Sequence, residues 1–95
     1  MKYYIDGKFE LSENAKIPFD DAGFLYGDGL FETMRFDNKI IFSFESHLKR
    51  LLKGLRLIDL DIGSKQSDLL NLLHKVINKN NLDSGIIRLM ITRGS

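Results

Sequence analysis

Three arginines in this sequence of 95 residues have surroundings that suit the binding of an anion. Arg35 lies in Leu-Phe-Glu-Thr-Met-Arg-Phe (30–36) and Arg88 in Ile-Ile-Arg-Leu-Met-Ile-Thr (86–92), runs whose composition reads as strand. Alternate side chains of a strand share a face. Phe31, Thr33 and Arg35 then stand opposite Leu30, Met34 and Phe36. Likewise Ile86, Arg88, Met90 and Thr92 stand opposite Ile87, Leu89 and Ile91. Each strand has an apolar core face and a second face that sets one arginine and one threonine among apolar residues. A solvated face would carry Lys, Glu and Ser instead. A mostly apolar surface with a few fixed polar groups suits a ligand cleft. It equally suits a face covered by another domain or subunit, with each arginine paired to a carboxylate, and the two readings are compatible. The stretch Phe19–Phe36, which carries Tyr26 beside Gly27-Asp28-Gly29, is read as one wall of a cofactor and substrate cleft.

Arg50 is the third. On a helix its neighbours at three and four positions are Ser46, His47, Lys53 and Gly54, none of them acidic, so an ion pair along its own helix is excluded. Gly54 leaves room beside it. Such an arginine is either a plain surface residue or a ligand for phosphate or carboxylate, which its planar fork binds bidentately. Glu32 falls on the apolar face of its strand, where a carboxylate is costly unless paired. A place near the sheet edge and a structural role are expected of it, with a catalytic role as the alternative. His47 reads as a packed histidine and His74 as a solvated one. No spacing among them makes a metal site. Gly27-Asp28-Gly29 lacks the third glycine and the following helix of a dinucleotide fingerprint, so it is a turn. No Ser-His-Asp or paired-carboxylate set is visible.

The elements that must position these residues follow from local signals. Asp6-Gly7 between Lys2–Ile5 and Lys8–Leu11 predicts a hairpin. Residues 12–18, ending in the only proline, read as a connector. The strand from Leu30 to Asp37 turns at Asp37-Asn38 into Lys39–Phe42. Ser43 is placed to cap a helix of about 14 residues, with Phe44, Leu48, Leu51, Leu52 and Leu55 on one face. Leu57–Gly63 connects to a second helix, capped by Ser64, whose stripe is Leu69, Leu70, Leu73, Val76 and Ile77. Asn78–Ser84 stops it, and Gly85–Arg93 is the last strand. Strands, two helices and a strand predict an α+β domain, residues 1–95, with a mostly antiparallel sheet.

Composition narrows the classes. Fourteen basic and thirteen acidic residues leave a net charge of +1, which gives no electrostatic case for nucleic acid or an anionic membrane. The absence of cysteine removes disulfides and thiolate metal sites, in keeping with a reducing cytoplasm. No stretch approaches the roughly 18 apolar residues of a membrane span. A strand closing on Thr92-Arg93-Gly94 normally feeds a loop, so the chain is expected to be the first part of something longer.

Three segments together, Phe24-Leu-Tyr-Gly-Asp-Gly-Leu-Phe-Glu-Thr-Met-Arg-Phe36, His47-Leu-Lys-Arg-Leu51 and Ile86-Ile-Arg-Leu-Met-Ile-Thr-Arg-Gly94, resemble the class IV aminotransferases, the fold-type IV pyridoxal-phosphate enzymes. These include branched-chain and D-amino acid transaminases and 4-amino-4-deoxychorismate lyases. The resemblance covers essentially the whole chain and implies the small N-terminal domain of a two-domain homodimer. It implies that Arg50 binds the phosphate of pyridoxal 5'-phosphate, and that Tyr26, Phe31, Arg35 and Arg88 line the substrate side. It also implies that the Schiff-base lysine lies in a second domain: none of the nine lysines here occupies a matching motif, so no catalytic residue is assigned and the segment alone is expected to be inactive. Phe31 departs from the tyrosine of the D-amino acid branch, and Thr33 and Ile86 depart from branched-chain patterns. Phe-Glu-Thr-x-Arg, with Arg50-Leu51 and Gly54-Leu55, looks more like the lyases. Amino-group transfer on a branched-chain-type amino acid is one expectation and pyruvate elimination from amino-deoxychorismate the alternative. A non-catalytic association module is the remaining reading if the chain is complete.

Overall fold

Asp6 and Gly7 take positive φ, 47° and 90°, and close the hairpin of β1 (Lys2–Ile5) and β2 (Lys8–Leu11), registered Ile5 to Lys8. The computed structural model describes residues 1–63 and 65–95, with the side chains of 65–67 outside that description; the expected cap Ser64 therefore lies outside the described residues. After a 3-10 turn at Ser12–Asn14 comes a one-turn helix α1 (Ala22–Tyr26), in a stretch whose sequence reads as loop. The central strand β3 (Gly29–Asp37) follows, then β4 (Ile40–Ile41), α2 (Phe44–Leu57), α3 (Lys65–Lys79) and β5 (Gly85–Thr92).

The order β4-β3-β5 makes a three-stranded sheet, and β1-β2 a separate two-stranded one; every pairing is antiparallel. The α+β reading holds. The turn after β3 sits one residue later than expected. Asn38 and Lys39 carry the positive φ values (48° and 63°), so that Asp37 pairs with Ile40. Ser43 occupies the N-cap position of α2 but does not cap with its side chain. Its backbone is left-handed (φ 55°), its hydroxyl makes no cap hydrogen bond, and the helix starts from its carbonyl, which accepts His47 N–H at 3.0 Å.

The alternation expected along β3 and β5 is what the fold uses. Met34, Phe36 and Ile87 are buried with Ile41, Leu73 and Ile77, joining the sheet to α3. Leu51 and Leu55 of α2 bury against Leu69, with Leu30, Leu89 and Ile91 packed on them. Leu30 fills the space over Gly54, where an added Cβ would come within 2.6 Å of it, so the room left by Gly54 serves the strand rather than Arg50. At the start of β3, a Cβ on Gly29 would meet the Ile91 carbonyl at 2.5 Å, so only glycine lets the two strands close there. The hairpin is tied on by Asn80, which accepts Lys2 N–H at 2.7 Å and donates to the Lys2 carbonyl at 2.9 Å.

Residues three apart on β3 test this division of faces. Met34→Ala, which empties a buried site, is expected to cost about 2–5 kcal/mol. Phe31→Ala, on the exposed face, should change stability by no more than about 0.5 kcal/mol. Urea denaturation of both variants measures the contrast, and equal losses would contradict the assignment.

Candidate functional site

Because β3 alternates, Glu32 enters the core side between Leu30 and Met34, and its carboxyl side chain is only 7% exposed. It pairs with Leu89 of β5 on one side, while β4 reaches only Phe36 and Asp37 on the other, so Glu32 lies where β3 is an open edge, as its sequence context predicts. The cost of burying it is offset by donors from α2. His47 Nδ1 lies 2.6 Å from Oε1, Arg50 Nη2 donates to Oε1 at 2.7 Å, and Arg50 Nε donates to Oε2 at 3.0 Å. His47 and Arg50 meet one carboxylate because residues three apart on a helix share a flank. An ionised carboxylate only accepts, so Nδ1 of His47 carries the proton. Its 3.5 Å approach to Arg50 Nη2 is then a contact between two donors.

Arg50 thus has an acidic partner, contributed by the sheet rather than by its own helix. Its guanidinium stays largely in solvent, with the side chain 71% exposed. The Arg50 hydrogen bond holds the Glu32 carboxyl below its ordinary value; burial pushes the other way, and the His47 hydrogen bond adds to the lowering. Glu32 in turn raises the pKa of Arg50. His47 is packed as expected, whereas His74 is half-buried rather than freely solvated.

The outer face of the same strands is a different surface. Arg88 stands opposite Thr33, with its Nε 3.4 Å from Thr33 Oγ1 and its guanidinium 5.4 Å from the centre of the Phe31 ring. Arg35 stands opposite Ile86. Among the described residues neither arginine forms an ion pair with a carboxylate, so the chain itself does not supply the partners that a merely covered face would need. Phe31, Ile86 and Met90 are exposed at 60%, 72% and 60%. The structure therefore groups Phe31, Thr33, Arg35 and Arg88 but places Arg50 on the other side of β3. Tyr26, exposed, ends α1.

The far end of β3 and β5 is braced by Asp21, by the turn Gly27-Asp28-Gly29 and by Arg93. Asp21 is buried. Its Oδ2 accepts Gly23 N–H at 2.9 Å and Phe24 N–H at 3.3 Å, which caps α1, and its Oδ1 accepts the Thr92 hydroxyl at 2.9 Å. Gly27, at φ 67°, ends α1 in the left-handed region that glycine favours. Arg93 clasps Asp28 through Nε at 2.6 Å and reaches the Ile58 carbonyl at 2.5 Å, joining the Gly27–Gly29 turn to the connector after α2. An aspartate immediately before the apolar run Ala22–Tyr26 is a legible cap signal; the Arg93 clasp has none, because its partners lie 34 to 65 positions away. Among the described residues no three His, Cys, Asp or Glu side chains could hold a metal ion, and no helix is long and apolar enough to cross a membrane.

Residues 29–95 match the family described as amino-transferase class IV. A protein of Methanocaldococcus jannaschii, provisionally named a branched-chain-amino-acid aminotransferase, is 35% identical over 94 residues, which is 99% of this chain and 33% of that protein. The D-alanine aminotransferase of Staphylococcus aureus is 31% identical over 93 residues, 98% of this chain and 33% of its own length. Among solved structures, the branched-chain amino acid aminotransferase from Escherichia coli superposes with a TM-score of 0.84 at 27% identity, over 94% of this chain and 32% of that one. A Legionella pneumophila protein, provisionally named 4-amino-4-deoxychorismate lyase, superposes with a TM-score of 0.77 at 29% identity, over 87% of this chain and 31% of that one. The chain spans about a third of the length of the relatives it matches.

The lowered Glu32 pKa fixes the direction of a pH effect. Unfolding lets Glu32 take up its proton at the ordinary value, 4.5, whereas the folded chain holds it ionised to lower pH. The stabilisation is therefore whole above pH 4.5 and lost as the pH falls below it, through the lowered folded value. Melting curves of wild type and Glu32→Gln should differ at neutral pH and converge in acid; a gap indifferent to pH would show that charge plays no part.

Proposed function

The chain belongs to the class IV amino-transferase family, and from that premise we propose that it is the N-terminal small domain of a pyridoxal-phosphate-dependent aminotransferase acting on an amino acid. Arg50 carries the reading. It lies in the matched region, a buried carboxylate holds one edge of its guanidinium, and the side chain is otherwise open to solvent, which fits the dianionic phosphate of the cofactor. When bound, pyridoxal phosphate supplies an electron sink for the electrons of the bond broken at the α-carbon of the amino acid. The chain's own contribution is binding and orientation. Arg50 anchors the phosphate. Arg35 and Arg88, without carboxylate partners among the described residues, offer cations to a substrate carboxylate. Phe31 and Tyr26 supply apolar walls that exclude water.

No lysine here is assigned to the cofactor aldehyde, and that group belongs to a second domain in this reading. A second domain and a second subunit also account for the exposure of Phe31, Ile86 and Met90, whose apolar surface would be covered in a homodimer. A soluble cytoplasmic location goes with it. Pyruvate elimination is the alternative, favoured by Phe-Glu-Thr-x-Arg at 31–35 and by the likeness to the Legionella structure.

In the protein of the relatives' length, Arg50→Ala should weaken retention of pyridoxal 5'-phosphate by about tenfold or more, the loss of a charge-assisted hydrogen bond, and leave binding of unphosphorylated pyridoxal alone. Absorbance titrations compare the two, and equal effects on both would remove Arg50 from the phosphate site. Pyruvate released from an amino-chorismate without any 2-oxo acid acceptor would establish the elimination reading. The 95-residue chain mixed with the cofactor should develop no stable, stoichiometric Schiff-base band. Such a band would mean that the catalytic lysine is one of its nine.

A further inference from the structure

A guanidinium has five N–H donors in one plane. Glu32 takes two of Arg50's, both on the Nε–Nη2 edge, at 3.0 and 2.7 Å. The second Nη2–H and both Nη1–H are directed away from that edge, and two of them form the end-on edge of the fork. Because the group is rigid, a carboxylate that holds the first edge also aims the second. Glu32 is itself held: its backbone belongs to the central strand, and His47 Nδ1–H lies on the same Oε1 at 2.6 Å. On α2 itself Ser46, Lys53 and Gly54 offer Arg50 no acid, so without Glu32 a side chain this exposed would lose the one orientation that the sheet imposes.

We propose that Glu32 is the positioning residue of the anion site: by occupying the Nε–Nη2 edge of Arg50, it presents the end-on Nη1–Nη2 edge to a phosphate monoester. This rests on the reading of Arg50 as the phosphate anchor and adds how that anchor is aimed. It has an electrostatic consequence. Glu32 cancels the charge of Arg50, so attraction from net charge is given up and the affinity comes from directed hydrogen bonds. Removing the Glu32 charge therefore has opposite effects in the two cases. If net charge governed binding, Glu32→Gln would bind phosphate more tightly; if aim governs it, Glu32→Gln binds more weakly despite the loss of one negative charge.

The test uses protein labelled with nitrogen-15 in its arginine and histidine side chains, titrated with inorganic phosphate. In wild type, phosphate should shift the Arg50 Nη resonances, leave Nε–H bonded to Glu32, and leave the proton of His47 on Nδ1. Glu32→Gln should bind phosphate roughly threefold to tenfold more weakly, the loss expected when a long side chain must be ordered on binding. Arg50→Ala should lose the binding. Equal or tighter binding by Glu32→Gln, or a wild-type Nε resonance that moves with Nη, overturns the positioning role and leaves the phosphate anchor standing. Phosphate binding that survives Arg50→Ala, or is absent from wild type, removes the anchor and the positioning role together. The wild-type spectra decide the matter even if Glu32→Gln fails to fold.

Discussion

A carboxylate buried on the core face of the central strand is the constraint that the rest of this structure answers to. Glu32 lies between Leu30 and Met34, where an unpaired charge would destabilise the sheet by several kcal/mol. The fold resolves this by laying α2 across the strand so that His47 and Arg50 both reach it. The apolar stripe of α2 is compatible with a range of rotations on the sheet. The Glu32 contacts select the one in which Leu51 and Leu55 face inward and Arg50 comes out at the rim. One interaction thus sets the helix register and places the only cation given a phosphate-binding role.

β3 is read on both faces within two residues. Glu32 points to α2, Thr33 to the outer surface, where Arg88 and Phe31 stack. A ligand with an anionic group at one end and a carboxylate at the other would have to pass an edge of this strand to meet both sets. β4 pairs only with Phe36 and Asp37, so the sheet leaves the earlier part of β3 without a partner on that side. The Asp21, Asp28 and Arg93 bonds hold the strand ends and the glycine turn in place beside it.

Much of this was legible in the chain. The hairpin at Asp6-Gly7, both helical stripes and the two-faced strands follow from turn chemistry and periodicity, which act over a few residues. Arg35, Arg88 and Phe31 were correctly grouped because alternation along a strand is a local rule. What is not legible involves partners distant in sequence, with one local exception at Ser43. Arg50 has no acid among its helix neighbours, and the partner it does have is 18 positions away. Glu32 does lie where β3 is unpaired on one side, but its donors on α2 are not visible in the chain. Ser43 had the right type for a cap, but the αL turn left its hydroxyl out of reach of the helix amides.

Residue types and their spacing by themselves determined the α+β class, the core faces and the family resemblance, since each depends on side-chain periodicity or on short matched segments. The tertiary structure alone decided that Glu32, His47 and Arg50 form one hydrogen-bonded group and that Arg50 and Arg88 lie on opposite sides of β3. The physical reason is that hydrogen bonds between elements depend on how a helix is laid across a sheet, and that angle is set by the summed packing of both cores rather than by any local run of residues.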